Sequence, residues 1–148
     1  MKILRNIFKK VEKEFFITPY FNCDYGYNIS IGEKFYSNFN LILLDVAEIS
    51  FGKNCFIGLN CSLYTAFHPI EDIDNRNNGI EKAKKIIIGN RNIIILPGVI
   101  IGNNCVIGCG SVVTKSIPDN SVAFGNPCKV FRQIDSSKKV DYEISNSI

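Results

Sequence analysis

The chain has no tryptophan, a single histidine (His68) and no apolar run that approaches membrane-spanning length. One histidine excludes a metal centre built from several imidazoles. The six cysteines are Cys23, Cys55, Cys61, Cys105, Cys109 and Cys128, and no two of them form a Cys-x-x-Cys pair, so zinc-type ligation has no framework. No metal is expected. The opening residues, MKILRNIFKKVEKEFF, are broken by charge throughout and lack a secretory apolar core. The expectation is therefore a reduced, cytoplasmic protein without a disulfide framework and without membrane attachment. A net charge of +3 with no dense basic stripe and no series of aromatic platforms also excludes nucleic acid as a partner.

What remains is ordinary for a folded domain: 148 residues, 46% hydrophobic and 21% charged, enough for one core and too short for two. The organising signal is an internal repeat of six. Phe51-Gly52, Ile57-Gly58 and Leu63-Tyr64 open units six residues apart, and Ile95, Ile101-Gly102, Ile107-Gly108 and Val113-Thr114 keep the step. Ile31-Gly32 and Ile88-Gly89 open units of the same kind. A helix would repeat its apolar residues at i, i+3 and i+4, and an exposed strand by alternation of two. A period of six fits a short strand and a tight bend, three to a turn of a prism, with the aliphatic leader pointing inward. Cys55, Cys61 and Cys105 each stand four residues after a leader, in a slot for small, weakly polar side chains, which predicts burial and not reactivity.

Three stretches depart from the beat. Residues 1–17 place Ile3, Leu4, Ile7, Phe8 and Val11 on one helical face, which predicts a helical cap on the open end of the prism. A membrane-surface helix has the same pattern and is the weaker reading. Residues 67–85 are polar and lose the repeat, as an excursion loop would. Residues 135–148 read as a polar tail. The repeat domain is thus residues 18–134.

The segments CDYGYNISIG (23–32), FYSNFN (35–40), LLDV (43–46), TAFHP (65–69) and LPGVIIGNNCVIGCGSVVTKSIPDNSVAFGNPCKVFRQI (96–134) resemble, in order, the hexapeptide-repeat acetyltransferases. The branch they resemble most is the maltose and galactoside O-acetyltransferases. The resemblance implies an all-β fold, a left-handed parallel β-helix with a short N-terminal helix and a long excursion loop. It implies a homotrimer with active sites between subunits, acetyl-CoA as co-substrate and a small hydroxylated acceptor such as a sugar. His68 falls on the family's catalytic histidine, and a neutral imidazole suits removal of a hydroxyl proton at neutral pH. No covalent enzyme intermediate is needed. Asn38 falls on the asparagine that binds the acceptor near the reacting hydroxyl. Asp24, Tyr36 and Asp45 fall where further acceptor contacts are expected; Asp24 and Asn38 are also ordinary turn residues. Ser111, Thr114 and Lys115 fall on the coenzyme A lining, and Lys129 and Arg132 on a basic pair suited to its phosphates. Glu81 is a candidate to orient His68.

Two departures qualify the resemblance. Little of the family's N-terminal helical segment stands before Tyr20. Only thirteen residues separate Ile88-Gly89 from Ile101-Gly102, where three units would take eighteen. The missing five correspond to a Trp-Ile-Gly-Gly-Gly segment that lies beside the thioester in the family and offers an N–H to the oxyanion. The reading preferred from the sequence is that the chain re-enters one face later, so that Ile86–Asn90 replaces the lost strand and Asn90 supplies the N–H. The competing reading is a shortened paralogue that binds ligand with little or no turnover.

Overall fold

The computed structural model describes residues 2–89, 97–108 and 110–135. Short parallel strands stack as the flat faces of a left-handed β-helix. The first face carries Lys10–Val11, Ile29–Ile31, Ile49–Phe51, Ile86–Ile88 and Ile100–Ile101 in that order. The second carries Phe15–Ile17, Phe35–Ser37 and Phe56–Ile57, and the third Phe21–Cys23, Leu41–Leu44 and Ser62–Tyr64. Coils are joined by backbone bonds such as Tyr36 N–H to Cys55 C=O (2.8 Å) and Ile42 N–H to Cys61 C=O (2.9 Å). Each interior strand bonds only the coils directly below and above it, as Ile49–Phe51 does, which is why a six-residue beat suffices to specify the stack.

The leaders do point inward. Ile31, Phe51, Ile57, Leu63, Ile88, Ile101, Ile107 and Val113 are all buried in one continuous core. Cys55, Cys61 and Cys105 fill the small slots between them, with at most 1% exposure. None of the five described cysteines forms a disulfide. The bends fall to residues that tolerate the left-handed region: Asn40, Asn54, Asn60, Asn104 and Asn120 all have φ between 52° and 61°. Four of these bends are laddered in two pairs, Asn40 Nδ2 donating to Asn60 Oδ1 and Asn104 Nδ2 to Asn120 Oδ1, both at 2.9 Å.

The helical face read over residues 1–17 is helix only at Lys2–Ile7. Lys10–Val11 and Phe15–Ile17 already run as strands of the first and second faces, pairing with Ser30–Ile31 and Phe35–Ser37. Stacking on the coil above outweighs a marginal helical pattern there. At the other end Ser121–Phe124 pairs with Val106–Ile107 on one side and with the antiparallel strand Lys129–Gln133 on the other. Residues 136–148 lie outside the described residues. No helix among the described residues is long and apolar enough to cross a membrane.

The expected re-entry one face later does not occur. Ile86, Ile87 and Ile88 pair in register with Ile49, Ser50 and Phe51, and Ile87 and Ile88 in turn with Ile100 and Ile101. The third face is complete at Ser62–Tyr64 before the excursion begins, so the returning chain meets the first face next. The bonds Lys84 N–H to Thr65 C=O and Ile86 N–H to Glu48 C=O, each 2.9 Å, clamp that return. Thirteen residues therefore span a whole turn. Among the described residues, no strand stacks on Phe56–Ile57 from above. Asn90, the expected N–H donor, and Ile95 lie outside the described residues.

Candidate active site

The excursion loop leaves the prism at Thr65 and begins as a two-stranded antiparallel ribbon, Ala66–Phe67 against Lys82–Ala83. Thr65 is buried, and its hydroxyl donates to Leu44 C=O and accepts from Ala47 N–H, so the root of the loop is fixed to the coil below. Farther out, a short helix at Ile73–Asn77 is capped by Asp72, whose carboxylate accepts from Asn75 N–H at 3.1 Å.

His68 stands at the end of this ribbon with an exposed ring. Its Nδ1 lies 2.9 Å from the carbonyl oxygen of Ile80. A carbonyl oxygen only accepts, so Nδ1 carries the proton and Nε2 presents a lone pair to solvent. The orienting group is thus a main-chain carbonyl and not the Glu81 carboxylate that the sequence suggested. A main-chain acceptor leaves no mark in the pattern of side chains, which is why it was not legible.

The four acceptor candidates divide. Asp24 sits at the bend after the third face, with an exposed side chain. Asp45 stands one coil above but is fully buried. Its Oδ1 accepts from the N–H groups of Asp24 (3.1 Å) and Tyr25 (3.0 Å), and its Oδ2 from that of Gly26 (2.8 Å). With both oxygens committed, Asp45 shapes the bend that presents Asp24; the acceptor role read for it is corrected to a structural one. Asn38 lies at the bend after the second face, half-buried, with its Oδ1 accepting from Phe39 N–H at 2.8 Å. Tyr36 is on the outside of the second face in an aromatic ladder, 5.9 Å from Phe16 and 6.4 Å from Phe56.

His68 is thus carried by the excursion ribbon that follows the third face, whereas Asn38 sits at the bend after the second face one coil earlier.

On the donor side, Ser111 is buried, donating to Gly108 C=O and accepting from Gly125 N–H at 3.2 Å, so its hydroxyl holds the last coil together and is not offered to a ligand. Thr114 and Lys115 are exposed. Thr114 lines a groove of about 370 Å³ together with Tyr64, Ala66, Phe67, Ile70, Lys84 and Pro97. That groove adjoins the ribbon carrying His68, and neither Lys84 nor Phe67 was singled out by the sequence. Lys129 and Arg132 project from the exposed antiparallel strand, 129 facing Phe124 and 132 facing Val122 in the register. Among the described residues no group of three or more histidine, cysteine, aspartate or glutamate side chains is placed to hold a metal ion.

No family model matches the chain. It is 41% identical to a galactoside O-acetyltransferase of Lactococcus lactis over all of its length and 74% of that protein's. Among solved structures, it resembles a maltose O-acetyltransferase from Clostridium difficile 630 with a TM-score of 0.87 and 47% identity, covering 91% of this chain and 74% of that one. A galactoside acetyltransferase in complex with coenzyme A matches with a TM-score of 0.86 and 37% identity, over 99% of this chain and 76% of the other.

Proposed function

The chain belongs to the hexapeptide-repeat acetyltransferases of the maltose and galactoside O-acetyltransferase kind, and on that premise we propose that it moves the acetyl group of acetyl-CoA onto a hydroxyl of a sugar or similar small acceptor. The observation that carries the mechanism is the bond between His68 Nδ1 and Ile80 C=O. In the neutral ring it puts the proton on Nδ1 and leaves the lone pair on Nε2, the nitrogen a general base would use. In a ternary complex, the acceptor oxygen gives its proton to Nε2 and attacks the thioester carbonyl carbon. Collapse of the tetrahedral intermediate breaks the C–S bond, and the imidazolium returns the proton to the departing thiolate. An acetyl ester and free coenzyme A result, with no enzyme-bound acyl group.

We place Asn38 with Asp24 and Tyr36 on the acceptor, and Thr114, Lys115, Lys129 and Arg132 on coenzyme A. A homotrimer fits this division, because a neighbouring copy would carry the bend bearing Asn38 to the ribbon bearing His68. Cytoplasmic residence completes the proposal, on the composition set out above.

The test is thiol release from acetyl-CoA with a panel of sugars, run beside His68→Ala. Release at the wild-type rate by the variant removes His68 from the mechanism. The second reading, a ligand-binding paralogue of low turnover, is favoured by the thirteen-residue turn between Ile88 and Ile101, five residues short of three hexapeptide units. Coenzyme A binding without release for any acceptor would establish it.

A further inference from the structure

The groove beside the His68 ribbon is lined by Phe67, Ile70 and Pro97, by Tyr64 and Thr114, and by one charged residue, Lys84. That lysine is held. Its main-chain N–H bonds Thr65 C=O at 2.9 Å, across the ribbon from the residues that lead to His68. Its stem passes Gly98, where φ is +79° and an added Cβ would meet Lys84 Cδ at 3.1 Å. Its ammonium lies 5.5 Å from the centroid of the Phe67 ring, the residue before His68. Lys84 forms no ion pair with a carboxylate among the described residues.

An ammonium fixed over a ring in an apolar slot, without a carboxylate partner, keeps donors free for a ligand oxygen. The slot suits a ligand that is mostly hydrocarbon with spaced carbonyl groups. The acylated pantetheine arm of acetyl-CoA has that character, bearing two amide carbonyls and the thioester. We propose that Lys84 is a donor-binding residue whose ammonium hydrogen-bonds a carbonyl oxygen of this arm, fixing the thioester next to His68. The proposal rests on acetyl-CoA being the donor and is independent of which acceptor is used.

The experiment measures binding by calorimetry, so that no acceptor is needed, for acetyl-CoA and for the phosphate-free S-acetylpantetheine. The variants are Lys84→Met, which keeps the stem, Lys84→Arg, which keeps the charge, and Lys82→Met as a control two residues earlier. The expected result is a rise in Kd of about tenfold for both donors in Lys84→Met. Lys84→Arg recovers most of that loss, Lys82→Met matches wild type, and thermal midpoints are unchanged. Unaltered donor binding in Lys84→Met overturns the proposal. A loss seen with acetyl-CoA but absent with S-acetylpantetheine also overturns it, because Lys84 would then meet a phosphate. A wild-type protein that binds both donors yet acetylates no sugar sinks the sugar reading and leaves the Lys84 result standing; one that binds neither donor sinks both.

Discussion

The imidazole of His68 is anchored by the carbonyl of Ile80, twelve residues away across the mouth of the excursion loop. The ring tautomer is therefore set by the loop closing on itself and not by a neighbouring acid. Nitrogen-correlated NMR spectra of the neutral ring should show Nδ1 protonated and Nε2 bare. Glu81→Gln should leave that pattern intact. A population dominated by the Nε2–H form would remove the base from the proposed mechanism.

Asp24 and Asp45 occupy the same corner in successive coils and should fail in different ways. Asp45→Asn replaces an acceptor of three N–H bonds with a group half of which donates, and should cost about 2–4 kcal/mol in denaturant unfolding. Asp24→Asn, with an exposed side chain, should change stability by less than about 0.5 kcal/mol and raise the acceptor KM. An Asp45→Asn protein of wild-type stability with a raised acceptor KM would restore Asp45 to the substrate.

The contrast between these two acids marks how far a sequence of this kind can be read. Leaders such as Leu63 and Ile101, and slots such as Cys55, were legible because burial follows a fixed period and each needs only its neighbours in the stack. Acidic residues at bends were not separable, since whether a carboxylate faces outward or turns in to bond main-chain N–H groups depends on one rotamer at one corner. The face taken by Ile86–Ile88 was misread for a related reason. The repeat fixes that a strand points its leader inward, but the excursion loop erases the count that says which of three equivalent faces comes next.

The stacked bends of the first face demand glycine, at Gly89 as at Gly32. An added Cβ at Gly89 would stand 2.6 Å from the carbonyl oxygen of Gly102, a main-chain clash that no side-chain rotation relieves. Gly89→Ala should lower stability by about 1–3 kcal/mol. At Gly58 no described atom lies within 4 Å of the same position. Gly58→Ala should fall within about 1 kcal/mol of wild type, on the stable side if the unfolded chain is stiffened. Equal losses at both positions would mean that Gly58 is as closely packed as Gly89.

Burial pushes the thiols of Cys105 and Cys128 above their ordinary range. In a Cys109→Ser background, their modification by a thiol reagent at pH 8 should be at least about tenfold slower in the native state than in urea. The sign for stability follows from the raised values. The unfolded chain ionises these thiols first, so their contribution is whole below about pH 8.5 and is lost as pH climbs through the folded values. The thermal midpoint should decline across that alkaline window. Rapid native labelling of either residue would contradict its placement.

The sheets holding Phe56–Ile57 and Ser62–Tyr64 each join three described strands, with Val106–Ile107 and Ser121–Phe124 in a separate sheet beyond them, whereas the first face runs unbroken from Lys10–Val11 to Ile100–Ile101. In hydrogen exchange, this column should behave as the slowest cooperative unit, with the amides of Ile49, Ile86 and Ile88 opening only with the whole molecule. The amides about Phe56 should open locally and sooner. A stack so built keeps its plumb line along one column even where the count of residues per storey changes.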